Sequence, residues 1–236
     1  MHKNKTILGL IPARGGSKGL PRKNIKTLLD KPLIAWTIEQ ALASKYLDRV
    51  IVSTDDEEIA EVSKEYGAEV PFLRPEELAT DEAKGIDVVL YAIDWMERND
   101  KPYDLLMLLQ PTSPLRTSND IDKAIELLFQ KNAQAIVSVC EVDHHPYWSN
   151  TLPDDGCMKD FIKPEVTNKN RQELPIFYRL NGAIYLAYSD YLKEKRSFLG
   201  KDTFAYIMPQ RRSVDIDNEV DFKLAGIVIR ENKQKE

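Results

Sequence analysis

The chain has 236 residues and a mass of 27.1 kDa, enough for one sizeable core, so a single domain over residues 1–236 exposing roughly 11,000 Å² is expected. A composition of 42% hydrophobic and 30% charged residues excludes a disordered, collagen-like or fibrous chain. With 33 basic against 38 acidic residues the net charge is −5, which argues against bulk attraction to nucleic acid or to anionic lipid. There is no apolar run of membrane-spanning length and no cleavable leader pattern, and Cys140 and Cys157 are best read as free thiols. A cytoplasmic protein with no membrane or nucleic-acid partner is the expectation.

Ile7 to Ala13 is almost continuously apolar, as in a strand buried on both faces, and it runs into a loop from Arg14 to Asn24 rich in glycine and charge. The spacing predicts a helix over Pro32 to Ser44, a strand over Val50 to Thr54, a helix over Asp56 to Tyr66 and a short strand over Val70 to Leu73. A longer helix over Asp81 to Arg98 and a strand over Leu105 to Leu109 follow. Thr117 or Ser118 then caps a helix over Asn119 to Gln130, ahead of a strand over Ala135 to Val142. This alternation calls for an α/β fold with a doubly wound, mainly parallel sheet.

The rhythm breaks at about 143–177, a proline-containing stretch with Tyr147 and Trp148 that reads as a β-rich excursion or an oligomerisation flap, too short to close its own core. The pattern resumes with a strand over Gly182 to Ala187, a short helix over Asp190 to Arg196, a strand over Phe204 to Met208, an extended Val214 to Asp217 and a helix over Asn218 to Arg230. His144 and His145 have no further histidine or cysteine nearby and read as a polar loop rather than a metal site. Ser113 lacks the surroundings of a nucleophile elbow.

The Arg14 to Asn24 loop carries Arg14, Lys18, Arg22 and Lys23 among glycines that let backbone amides approach phosphate oxygens, so it is either a polyphosphate cradle or a surface turn fixed by Pro21. It matches neither GxxxxGK[ST] nor GxGxxG. Asp215 and Asp217, two apart in an extended segment, point to one side and suit a hard cation, unless Asp217 merely caps the final helix. Gln110 follows a buried strand into a turn stiffened by Pro111 and Pro114.

The string Ile11-Pro12-Ala13-Arg14-Gly15-Gly16-Ser17-Lys18-Gly19-Leu20-Pro21-Arg22-Lys23-Asn24 resembles the acylneuraminate cytidylyltransferase family, with its legionaminate and pseudaminate relatives. Arg74-Pro75, Leu109-Gln110-Pro111-Thr112-Ser113-Pro114-Leu115-Arg116, Arg171-Gln172, Asn181-Gly182-Ala183-Ile184-Tyr185 and Ser213-Val214-Asp215-Ile216-Asp217 extend the resemblance over nearly the whole chain. It implies a Rossmann-like nucleotide-sugar transferase with CTP and Mg²⁺, in which the anomeric hydroxyl of a nine-carbon 2-keto acid sugar, N-acetylneuraminate first, attacks the α-phosphorus and releases pyrophosphate. It further implies that Arg14, Gly15, Gly16, Ser17, Lys23, Asn24, Arg74 and Thr80 serve the nucleotide, that Gln110, Arg171 and Asn181 serve the sugar, and that Asp215 and Asp217 hold the metal. Arg14, Lys23, Asp215 and Asp217 are the implied catalytic set, and the 143–177 insertion is the implied homodimer contact. Glu82-Ala83-Lys84-Gly85 departs from the family's hydroxyl-bearing segment, leaving Thr80 to compensate. An eight-carbon octulosonate cytidylyltransferase is the nearest alternative enzyme, and a non-catalytic CTP or CMP-sugar binding protein the alternative of another class.

Overall fold

The computed structural model describes residues 2–16 and 19–233. Strand β1 (Ile7–Pro12) divides its side chains between two cores, as its unbroken apolar sequence requires: Ile7 and Ile11 enter one, Leu8 and Leu10 the other. Each such side chain taken out of water contributes roughly 1.5–3 kcal/mol. A small antiparallel hairpin, β2 (Thr27–Leu28) and β3 (Lys31–Pro32), then leads into helix α1 (Leu33–Leu42). Periodicity does not reveal this hairpin, because each strand has only two residues and Leu29 turns the chain at φ 65° against its ordinary preference.

The chain continues through β4 (Arg49–Ser53), α2 (Glu57–Glu65), α3 (Gly85–Asn99), β5 (Leu105–Leu108), α4 (Ser118–Lys131), β6 (Ala135–Glu141), β7 (Tyr178–Tyr188), α5 (Ser189–Lys195), β8 (Thr203–Ile207) and α6 (Glu219–Lys233). The six long strands form one sheet in the order β4-β1-β5-β7-β6-β8. β1 runs parallel to β4 and β5, and β6 parallel to β8, while β7 is antiparallel to both its neighbours. Helices α1, α2 and α4 pack on one face and α3 and α5 on the other, which is the doubly wound arrangement expected. A third cluster docks α6, through Phe222, Ala225 and Ile229, against Leu28 and Leu33.

Two of the differences from the sequence reading have identifiable reasons. Val70 to Leu73 is not a strand: only isolated bridges, Ile51 to Glu69 and Thr54 to Leu73, tie it to β4, and Pro71 has no N–H to give a ladder. Helix α3 begins at Gly85 rather than Asp81, because Arg14 grips the preceding turn, donating to the carbonyls of Ala79 and Thr80 and to the Asp81 carboxylate. α4 starts as expected, with Thr117 and Asp120 forming a reciprocal capping box.

Between β6 and β7 the chain from 142 to 177 contains no strand, only short 3₁₀ turns, and residues 148–160 are all exposed. The β-rich alternative for this stretch is therefore not what forms. A packed knot surrounds His145, which is buried rather than polar-loop in character: Nδ1 accepts from the Tyr147 N–H, Nε2 lies 3.0 Å from the Pro175 carbonyl, and the ring packs on Tyr147 and Phe177. The total exposed area of 12,840 Å² exceeds the roughly 11,000 Å² expected for a compact monomer of this mass, in keeping with so open a segment.

Candidate active site

α1 carries the chain from β1 to β4 on one face of the sheet, whereas the return to β5 comes through α3 on the other, so the connections diverge between β1 and β5. In open α/β sheets such a switch point leaves a crevice at the carboxyl ends of the strands. Here a cleft of about 430 Å³ opens between the segment after β1 (Arg14, Lys23, Asn24) and the segment after β5 (Gln110, Thr112), closed at one side by Asp215 and Asp217.

Polar contacts fix both ends of the glycine-rich loop, which runs into a 3₁₀ turn at Lys23–Ile25. Asn24, 6% exposed, donates its side-chain amide to the Arg14 carbonyl at 3.1 Å, and the Gly15 N–H donates to Asp55 at 3.0 Å. Arg22 stands at φ 55° and pairs with Asp56 and Glu58, which leaves Lys23 turned into the cleft. Lys23 donates from Nζ to the Ile216 carbonyl at 2.5 Å and sits 3.7 Å from an Asp217 oxygen. Gly16 is exposed, and Ser17 and Lys18 lie outside the described residues.

The 215–217 segment is stitched to the opposite wall. The Ile216 N–H donates to the Thr112 carbonyl at 2.9 Å, and the Thr112 hydroxyl donates to the Asp215 carboxylate. Burial nevertheless pushes the Asp215 carboxyl above its usual range, with the Asp217 charge adding to the effect against Thr112, Lys23 and Arg179. Asp217 is free of the capping role: Asn218 accepts the Val220 and Asp221 N–H groups, and the Asp221 carboxylate reaches back to the N–H groups of Asp217 and Asn218. Among the described residues no group of three or more His, Cys, Asp or Glu gathers to hold a metal. Two carboxylates are nonetheless a fitting set for Mg²⁺, which accepts one or two from the protein and completes its shell with water and phosphate oxygens.

On the other side, Arg14 and Gln110 also border a second hollow of about 270 Å³, lined by Arg74, Thr80 and Leu108. Arg74 is 6% exposed and is held by Ser53, Nε donating to its hydroxyl at 3.1 Å and Nη2 to its carbonyl. Burial, with Arg14 nearby, draws its pKa down to about 10 despite Asp55.

Asn181 and Arg171 do not join this cleft. Asn181 is wholly buried, accepting from the Ser138 hydroxyl at 2.6 Å and donating to the Ser213 hydroxyl at 2.9 Å, while its carbonyl accepts from Ser113. It anchors an irregularity in β7, where the register with β6 slips between Val137 and Val139. That slip lets Gly182, at φ 72°, sit against Gln110 and Asp215. Arg171 is exposed on a 3₁₀ turn, donating to the Val142 carbonyl at 3.3 Å beside a separate hollow with His145 and Phe177. Thr112 lines the cleft and Gly182 lies beside its Gln110 and Asp215; sequence reasoning gave neither a role, although both stand in the motifs quoted above.

A family model described as cytidylyltransferase matches residues 8–217. The chain is 37% identical over 235 residues to the CMP-N,N′-diacetyllegionaminic acid synthase of Legionella pneumophila, covering 97% of this chain and 98% of that protein. It belongs to the acylneuraminate cytidylyltransferase family. Another relative, the N-acylneuraminate cytidylyltransferase of Escherichia coli, is 39% identical over 231 residues, and there the match spans 98% of this chain but only 53% of the relative. The fold is likewise that of a solved CMP:2-keto-3-deoxy-manno-octonic acid synthetase complexed with CTP, at a TM-score of 0.70 and 15% identity over 96% of this chain and 99% of the other. As a cytidylyltransferase the chain is a nucleotidyltransferase, and the divergence at β1 and β5 accounts for where its cleft opens. No helix among the described residues is long and apolar enough to cross a membrane.

Proposed function

We propose that this cytidylyltransferase transfers CMP from CTP to the anomeric hydroxyl of a nine-carbon 2-keto acid sugar and releases pyrophosphate. The observation that carries the reading is the convergence of Lys23, Asp215 and Asp217 on one cleft that Gln110 shares with the Arg74 hollow. In this assignment the hollow of Arg74 and Thr80 takes the cytidine, and Arg14, Gly15, Gly16, Ser17, Lys23 and Asn24 serve the triphosphate. Gln110 faces the sugar, and Asn181 acts from the interior by holding the β7 irregularity.

The transfer makes one O–P bond at the α-phosphorus and breaks the bond to the β-phosphate, while the hydroxyl proton leaves to solvent. What the protein supplies is position and charge. Lys23 is held by the Ile216 carbonyl with two ammonium hydrogens left for phosphate oxygens, and Arg14, fixed by the 79–81 turn, adds a second cation. Asp215 and Asp217 would hold Mg²⁺, which when bound neutralises charge on the nonbridging phosphate oxygens.

The sugar is proposed as N-acetylneuraminate, with N,N′-diacetyllegionaminate the next to be tried given the end-to-end match to the Legionella synthase. Because Arg171 stands apart from its own chain's cleft, its proposed contact with the sugar carboxylate is made in a homodimer, across the 143–177 segment. Pyrophosphate release from CTP and Mg²⁺ with each sugar in turn, N-acetylneuraminate, N,N′-diacetyllegionaminate, pseudaminate and the eight-carbon octulosonate, tests the reading. Turnover of the eight-carbon acid alone, or binding of CTP with no turnover of any sugar, would overturn it.

A further inference from the structure

Arg116 is a buried cation that belongs to no ion pair among the described residues. It is 1% exposed, and its Nε and Nη2 have no hydrogen-bond partner. The nearby acid, Asp120, is already engaged by Arg212 at 2.6 Å, by the Tyr206 hydroxyl at 3.0 Å and by the Thr117 cap. Burial lowers the Arg116 pKa to about 9, against the pull of Asp120. Taking such a group out of water is costly, and apolar side chains of similar volume often fill such sites at no loss of stability.

What Arg116 does make is two bonds from one nitrogen. Nη1 donates to the Ala183 carbonyl at 2.7 Å and to the Gln110 carbonyl at 3.2 Å. The β5–β7 ladder ends at the pair Leu108 and Tyr185. Just beyond it Arg116 ties the turn after β5 to β7, bonding the Ala183 carbonyl and giving the Gln110 carbonyl a second donor beside the Ser113 N–H at 3.3 Å. The segments it joins carry Gln110, which lines the cleft, and Gly182, whose lack of a side chain leaves room for Gln110 and Asp215.

We propose that Arg116 is a positioning residue for sugar recognition, acting through Gln110 by fixing the gap between the end of β5 and the irregular turn of β7. The inference rests on the reading of Gln110 as a sugar contact.

The test uses the full chain as Arg116→Met, Arg116→Lys, Gln110→Ala and the double variant Gln110→Ala with Arg116→Met. Each is assayed with CTP, Mg²⁺ and N-acetylneuraminate, or N,N′-diacetyllegionaminate if wild type prefers it, with thermal unfolding alongside. The expected result is that Arg116→Met keeps a cooperative transition close to wild type while kcat/KM for the sugar falls about tenfold or more and the CTP KM stays within about twofold. Arg116→Lys should recover part of the loss, having donors but not the planar fork. The double variant should be no worse than Gln110→Ala within about twofold, because one residue acts through the other. A folded Arg116→Met or Arg116→Lys with wild-type sugar kinetics, equal losses for CTP and sugar, or losses that multiply in the double variant would each overturn the inference. Should Gln110→Ala alone leave sugar kinetics intact, the sugar reading of Gln110 falls first, and that result is visible without either arginine variant.

Discussion

The side-chain oxygen of Gln110 lies 2.7 Å from where a Cβ on Gly182 would stand, and an oxygen of Asp215 lies 3.0 Å from the same point. No side chain fits there without moving one of them, and at φ 72° an alanine also strains the backbone by about 1–2 kcal/mol. Gly182→Ala should therefore lower both the unfolding midpoint and kcat/KM for the sugar, the latter by about tenfold or more. Kinetics on the folded fraction check this, and an unchanged kcat/KM would mean that Gln110 and Asp215 move aside at no cost.

On the proposed role of the pair as Mg²⁺ ligands, Asp215→Asn and Asp217→Asn should each reduce turnover by at least about two powers of ten, since a lost metal ligand removes several kcal/mol of transition-state stabilisation. Their stabilities should differ. Asp215→Asn removes a carboxylate whose ionisation burial opposes, so its unfolding midpoint at pH 7 should match or exceed wild type, whereas exposed Asp217 has little to give back. Magnesium titrations with calorimetry on both variants read the two effects separately.

Lys23→Ala should depress kcat and weaken CTP binding, with Lys23→Arg only partly restoring either. A guanidinium is too wide to donate to the Ile216 carbonyl from the same point and still reach phosphate. Varying CTP at saturating sugar separates kcat from KM, and wild-type values for both variants would put Lys23 outside the reaction.

Arg171→Ala should raise the sugar KM by about tenfold or more with the CTP KM little changed. Co-expression of Arg171→Ala with Asp215→Asn tests the proposed arrangement across subunits. If Arg171 serves the partner's cleft, the mixed dimer contains one site with both residues intact and recovers activity that neither parent shows. Absence of recovery in a verified mixed dimer would return Arg171 to its own chain's cleft.

Burial pushes the Asp120 carboxyl up, but the Thr117 N–H and hydroxyl and the Arg212 guanidinium outweigh it and hold the pKa below the ordinary value. A carboxyl depressed in the folded state contributes stability above its unfolded pKa of about 3.9 and loses it as pH falls through the folded value. Asp120→Asn should thus cost about 1–3 kcal/mol at pH 7, and the gap to wild type should close below about pH 4. Denaturant unfolding across that range measures it.

The strands and helices whose apolar spacing is long, such as β1, α1 and α4, are legible in the sequence because both cores demand that spacing. The antiparallel direction of β7 is not, since an apolar run reads the same either way. The cleft residues Arg14, Lys23, Asn24, Gln110, Asp215 and Asp217 were all identifiable from their motifs, and they do meet. What the sequence hides is division of labour within a motif. Asn181 and Gly182 are neighbours on a strand, so alternation puts them on opposite sides but does not say that Asn181 turns into the core while Gly182 leaves room for Gln110 and Asp215. Arg116 is hidden for a similar reason, as nothing in Pro114-Leu115-Arg116 says that a charged residue turns inward.

The bond from Lys23 to the Ile216 carbonyl closes a span of 193 residues, and α6 reaches back to the hairpin at Leu28. During synthesis the loop from Arg14 to Asn24 therefore emerges long before anything exists to complete it. At about 5–20 residues per second, some ten to forty seconds pass between the emergence of Lys23 and that of Ile216. A nascent chain can assemble β1, β4 and β5 in that interval, but it carries an open, cation-lined hollow with no acidic wall. The cleft is closed only once Ile216 has followed Lys23, so a chain stalled before that point would present the basic wall without the acidic one.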